Sequence, residues 1–167
     1  MSNRAHDLAA RLEQGALELE KFAKELTEAQ WELRGPKDAR KIGVVVHHVA
    51  IVYPLEIQLA QAVAGGNAVT DLTWDTIHQM NAKHSSKYDA VTKAETLALL
   101  RENSAAAAAA IRAMNDDDFE RAAPVSFYGN APLTCQFLLE DHAVRHSYHH
   151  LARLRDVVLL SGVLDSD

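Results

Sequence analysis

The chain has 167 residues, 48% hydrophobic and 24% charged, with a formal net charge of −6, an ordinary globular composition long enough to bury a core without staples. An acidic chain with no run of Lys or Arg lacks the footprint of nucleic-acid binding and is disfavoured at anionic membranes. The single cysteine, Cys135, excludes an intramolecular disulfide and a Cys-rich zinc site.

The N-terminus, "MSNRAHDLAARLEQ", is charged and amphipathic, which does not fit a secretory signal. Through "NRAHDLAARLEQGALELEKFAKEL", Leu8, Leu12, Leu17 and Phe22 recur at helical spacing between charges. Gly35 and Pro36 end that segment. A second helix is expected from Ala39 to Ala64, stopped by Gly65–Gly66 and kinked by Pro54. Its apolar run "GVVVHHVAIVYPL" is too short to span a bilayer, and the expectation is a cytoplasmic protein. "TWDTIHQMNAKHSSKY" reads as a shorter extra helix. Thr92 and Glu95 form a capping pair before "TLALLRENSAAAAAAIRAM", whose alanines favour helix and allow a neighbour to approach closely. "NDDDFERAAPVSFYGNAPL" is a long irregular stretch, part of which can pair as a short hairpin. A last helix then runs from Thr134 to Leu160, ending at Gly162. The fold class is all-α, a four-helix bundle in one domain over residues 1–167 with a short extra helix and a long loop before the last helix.

Of nine histidines, four fall within "HAVRHSYHH", at His142, His146, His149 and His150. At about 100° per residue, Val44, Val45, Ile51, Val52, Leu55, Leu59 and Val63 all lie near His48, which therefore faces the core. His47 falls on the side of Arg40, Gln58 and Gln61 and is expected to face water. On the last helix His150 lies within the apolar face and His146 at its edge, whereas His142 and His149 lean toward Arg145 and Asp156. His146 and His150 are four apart, so both can reach one ion. His48, His146 and His150 together suit a divalent transition metal, zinc, nickel or iron, with positions left for water or substrate. Glu56, about 80° from His48, either approaches the site or pairs at the surface. No residue stands out as general base; His149, His47, Glu56 and Tyr53 are the acid–base groups in range. His6 and His78 receive no role, and the His84/Asp89 spacing reads as surface chemistry. Trp31, Trp74, Tyr88 and Phe119 read as packing anchors, with a place at the pocket mouth as the alternative for some of them, and Cys135 as structural. No Glu-x-x-His or His-x-x-x-Glu motif occurs, which argues against di-iron sites.

An N-terminal amphipathic helix, then "VVHHVA", then "HSYHHLARL" resembles the DinB/YfiT-like family of four-helix-bundle metalloenzymes across essentially the whole chain. The resemblance implies that His48 matches the family's first metal-binding histidine, and His146 and His150 the later HxxxH pair. Leu151, Ala152 and Arg153 replace the Arg-Gly-Gln that often follows, and Lys41 stands near a position where many members carry tryptophan. The resemblance also implies a metal-dependent enzyme acting on a small-molecule substrate, a thiol-dependent transferase or isomerase using a low-molecular-weight thiol such as mycothiol or bacillithiol, and a homodimer. The alternative from the residues themselves is a metal- or small-ligand-binding stress protein without turnover. An open metal position favours the enzyme; a fourth ligand, for which His142 is the candidate, favours the binding protein.

Overall fold

The computed structural model describes residues 3–36 and 39–164, Val163 and Leu164 by backbone alone; the remaining residues of the expected 1–167 domain lie outside this description. In chain order the helices are α1 (Asn3–Glu25), α2 (Glu28–Trp31), α3 (Ile42–Ala64), α4 (Trp74–Lys87), α5 (Lys93–Arg112) and α6 (Asp116–Glu120). An antiparallel hairpin follows, β1 (Ala122–Val125) with β2 (Ala131–Thr134), pairing Ala122 with Thr134 and Val125 with Ala131. The C-terminal rod comprises α7 (Cys135–Leu138), a π-helical stretch (Leu139–Val144) and α8 (Arg145–Leu164).

The bundle consists of α1, α3, α5 and the C-terminal rod. Both α1 and α3 pack against α5 and against the rod, so these two successive long helices stand diagonally across the bundle. An up-and-down bundle with short loops sets successive helices side by side. Diagonal placement requires long crossings. The first carries α2, and the second carries α6 and the hairpin, which is why the irregular stretch before the last helix is long. Its expected hairpin is present; the short helices α2 and α6, capped by Thr27 and Asn115, were not anticipated.

One continuous apolar cluster fills the interior, with Leu8, Leu12 and Leu19 of α1, Val46, Val49 and Tyr53 of α3, Leu100 and Ile111 of α5, and Leu138, Leu139 and Leu154 of the rod. By length and composition α3 could cross a membrane, but 67% of its most apolar window is buried within the bundle, and its hydrophobicity follows from its neighbours in the core. In the alanine run, Ala107 and Ala108 are buried while Ala105, Ala106 and Ala109 face out.

Three local features fix α3. The helix begins at Ile42, later than the expected Ala39, because Ala39 takes a left-handed φ of 54° and the chain reverses there, with Arg34 bridged to Lys41. Gly43 lies against the Trp31 indole so closely that a Cβ would fall 2.3 Å from its ring. Pro54 has no N–H for the Ala50 carbonyl one turn earlier, and the Asn103 side-chain amide of α5 donates to that carbonyl at 2.8 Å. The buried acceptor orphaned by the proline thus gains its partner from a neighbouring helix. At the other end Gly65 caps α3 and Gly66 has a φ of 76°, as the sequence leads one to expect. Thr92 caps α5 through the Glu95 N–H. The last helix continues through Gly162 to Leu164, which corrects the expected stop.

Candidate metal centre

His48 sits in the first half of α3, and His146 and His150 form successive turns of α8 on the facing rod. Their ring centroids lie 5.1 Å (His48–His146), 5.4 Å (His48–His150) and 4.8 Å (His146–His150) apart. One nitrogen from each falls within 4.8 Å of the others. This is the set picked out in the sequence, and among the described residues it is the one group of three or more potential ligands gathered this closely. The Nε2 atoms of His48 and His146 are 3.2 Å apart. Tetrahedral coordination at metal–nitrogen distances of about 2.0–2.1 Å requires nitrogen separations of roughly 3.3 Å, so this edge already suits an ion, and a His150 nitrogen lies within 4.8 Å of both.

Two buried contacts hold the rings. Glu56, two turns along α3 from His48, accepts a hydrogen bond from His146 Nδ1. That bond places the proton on Nδ1 and turns the Nε2 lone pair toward His48, the carboxylate–histidine arrangement that orients metal ligands. Glu56 is 6% exposed, and its other oxygen, Oε2, has no hydrogen-bond partner. Of the two alternatives for Glu56, the approach to the site is the one observed. Between the α8 histidines, the Ser147 hydroxyl bonds the Tyr53 hydroxyl at 2.5 Å with both residues fully buried. This bond fixes the rotation of α8 against α3.

Burial keeps His48 and His150 neutral. Desolvation pulls His48 down to about 2, with smaller contributions from the charges of His146 and Arg40, and His150 is lowered from its ordinary value for the same leading reason. A neutral ring with a free lone pair is the form that binds a metal.

The structure corrects the placement of His47. It is buried rather than facing water: His84 of α4 and Tyr88, the residue that caps α4, lie over it, with His47 Nδ1 2.8 Å from His84 Nε2 and its ring centroid 4.3 Å from that of Tyr88. His84 is half-buried and faces this side of the site, and its ring also meets His48 edge-on at 5.6 Å. Burial lowers His84 to about 4. Asp89 does lie among surface ion pairs, with Arg34 and Lys41.

His142 is half-buried rather than solvated. In a regular helix it would neighbour His146 as His146 neighbours His150. The π-helical stretch intervenes, and a π turn takes an extra residue. His142 instead meets Phe127 and Tyr128, with its Nε2 3.2 Å from the Tyr128 hydroxyl, which itself donates to Asp141. It does not join the trio. His149 is exposed, as expected, and so are His6 and His78. Trp31 and Phe119 are buried, whereas Trp74 is exposed at the mouth of the site. Cys135 is buried and burial pushes its thiol up to about 11, an inert structural cysteine.

Beside the trio a cavity of about 330 Å³ opens between α3, α4 and the rod, with Val52, Leu55, Leu59 and Ile77 among its apolar walls and Glu56 at its side. The arrangement can hold a divalent ion with part of its coordination turned toward a ligand-sized space. The sequence reading names Tyr53 but not its bond to Ser147, and gives neither His84 nor Arg40 a place at the site. None has a one-dimensional signal, since each acts through a neighbour distant in the chain.

Comparison with known proteins bears on the whole chain. None of the proteins of curated function matches it. Among solved structures, YfiT from Bacillus subtilis, described as a probable metal-dependent hydrolase with an unusual four-helix bundle topology, superposes with a TM-score of 0.75 at 18% identity, covering 97% of this chain and 90% of that one. A DinB-family structure from Exiguobacterium sibiricum 255-15 gives a TM-score of 0.61 at 18% identity, covering 97% and 94%. The sequence profile of the DinB superfamily matches residues 11–154, a span that takes in all three histidines and both diagonal crossings. With the fold and that profile in agreement, the chain belongs to the DinB superfamily.

Proposed function

We propose that the chain is a metal-dependent enzyme acting on a small molecule, with one divalent transition ion (zinc, nickel or iron) held by His48, His146 and His150. The observation that carries this reading is the convergence of three imidazoles from two helices beside an open cavity, with no fourth protein ligand gathered with them among the described residues. Such an ion, when bound, supplies Lewis acidity that lowers the pKa of a coordinated water or thiol at neutral pH. The chain itself does the positioning. Glu56 holds the proton of His146 on Nδ1, Tyr53 and Ser147 lock the two ligand-bearing helices, and Val52, Leu55 and Leu59 keep one side of the space apolar.

Two reaction classes fit: hydrolysis, which the description of YfiT supports, and thiol-dependent group transfer with a low-molecular-weight co-substrate, which the family resemblance supports. Elemental analysis of protein made without a histidine tag, beside His146→Ala, tests the centre. The expected result is one equivalent of metal, lost in the variant. Protein that stays metal-free after incubation with zinc, nickel and iron would overturn it. Loaded protein is then assayed for ester cleavage and for consumption of a free thiol by an electrophile; a bound metal with neither activity returns the chain to the non-catalytic binding class.

A further inference from the structure

α4 is fastened at its two ends and packed loosely between them. Before its first turn, buried Val69 exchanges backbone hydrogen bonds with the hairpin: its N–H donates to the Pro124 carbonyl and its carbonyl accepts from the Ser126 N–H, both at 2.9 Å. The Ser126 hydroxyl also donates to the Leu72 carbonyl at 2.5 Å. At the other end His84 and Tyr88 lie against His47, and the Lys41 ammonium donates to the Asp89 carbonyl at 2.8 Å. Between these anchors no residue of α4 is buried, and Trp74 and Met80 remain 48% and 47% exposed.

The side chains that α4 gives to the cavity are Trp74, Ile77, Met80 and Asn81, while Val52, Leu55 and Leu59 line it from α3. The α3 residues recur at spacings of three and four, a single face of that helix. Two apolar faces set opposite one another close up in a packed core, because burial of hydrocarbon drives them together. Here the anchors hold them apart, and the cavity of about 330 Å³ lies between them with His146 and His150 along the rod. A void of about 150 Å³ suffices for benzene. The carboxylates of the cavity are engaged: Asp141 pairs with Arg145, and Glu56 holds His146.

We propose that the slot between α3 and α4 binds the uncharged hydrocarbon part, alkyl or aryl, of an amphipathic substrate, with Trp74 and Met80 as the residues that select it. Hydrocarbon lines both walls, so a charge placed there would lose its hydration without gaining a partner. The polar end of the same molecule points toward the three converging histidines. That the bound molecule is the one transformed rests on the metal-dependent reading; the apolar slot does not.

The probe is N-phenyl-1-naphthylamine, an uncharged fluorophore whose emission rises in apolar surroundings. It is titrated into metal-free protein and then displaced with 1-butanol, 1-hexanol and 1-octanol. Saturable binding of one probe per chain is expected, with each added pair of methylenes strengthening displacement ~10-fold, as transfer of hydrocarbon from water requires. Trp74→Ala/Met80→Ala should weaken the probe at least ~10-fold. Leu17→Ala, which removes an equally exposed apolar side chain from α1, should leave it unchanged. Val52→Phe distinguishes a slot from a sticky surface, since it adds hydrocarbon while taking up space and should weaken the probe. The α4 positions are half exposed, so their double variant keeps the test readable where Val52→Phe does not fold by circular dichroism. Absence of saturable binding would overturn the proposal, as would undiminished affinity in Trp74→Ala/Met80→Ala, equal displacement by the three alcohols, or tighter binding in Val52→Phe. So would a two-chain mass in light scattering that falls to one chain in the α4 double variant, which would give this face to a second copy. His146→Ala is expected to lose metal and keep the probe, so the slot and the metal-dependent reading fail separately.

Discussion

The two sides of α3 differ in what they ask of their neighbours. Toward α5 the helix makes its most extensive packing, and the Ala50 carbonyl left open by Pro54 is met by Asn103. Toward α4 and the rod the same helix buries two adjacent histidines and Glu56 beside a cavity. The first side satisfies the backbone acceptor that the proline opens; the second leaves Glu56 Oε2 and His84 Nδ1, two groups beside the histidines, buried without hydrogen-bond partners. Unsatisfied buried groups cost stability, and a folded protein tolerates them where a ligand supplies the missing partner.

The contrast is broken most sharply by removing ligands. His48→Ala or His150→Ala should abolish stoichiometric metal binding while far-ultraviolet circular dichroism stays helical, and His142→Ala should retain most of the metal. Equal loss from His142→Ala and His150→Ala would mean that the π-helical stretch does not separate them. Gly43→Ala forces a methyl into the Trp31 ring and should cost about 1–3 kcal/mol in chemical denaturation, with metal stoichiometry unchanged. Glu56→Ala should weaken zinc affinity ~10–100-fold, as loss of a carboxylate behind a histidine ligand does; Glu56→Gln, whose carbonyl still accepts from Nδ1, should recover part of it. Asn103→Leu leaves a buried carbonyl unpaired and should cost about 1–3 kcal/mol, again without change in metal affinity.

Acid sharpens the comparison further. His47, His48, His84, His142 and His150 are all lowered chiefly by burial. Below the ordinary histidine value of 6.5 the unfolded chain takes up protons that these folded side chains refuse. Stability of the metal-free protein therefore falls as pH drops from about 7 toward 5, by up to ~1.4 kcal/mol per pH unit for each histidine involved. Thermal melts at pH 7.5, 6.5 and 5.5 should show a progressive fall, smaller in His47→Phe. A flat profile would mean that these rings are protonated in the native state.

Periodicity made much of this legible. The helices, the stop at Gly65–Gly66, the Thr92 cap and the hairpin follow from local chemistry, and the angular positions of His48, His146 and His150 need only a regular helix on each side of the site. The same reasoning misplaced His47, because a wheel drawn on α3 contains no information about α4 folding over it. α4 itself has no buried residue and so carries little pattern to say where it docks. His142 escaped for a different reason: the wheel assumed 3.6 residues per turn across Leu139–Val144, where the chain adopts a wider one. Diagonal packing of α1 and α3 is likewise invisible to local pattern; only the length of the two crossings hints at it.

The widened turn also changes how length and phase trade along the rod. Upstream, Cys135, Leu138 and the hairpin take their bearings from α3 and α6; downstream, His146 and His150 take theirs from His48. Winding Leu139–Val144 as ordinary helix without removing a residue would swing one half against the other by about 100°, so that the anchors or the histidines would have to leave their partners; removing one residue at the same time would keep both in phase. A related chain without the widening would accordingly align with a single-residue gap at this point while keeping both halves in place.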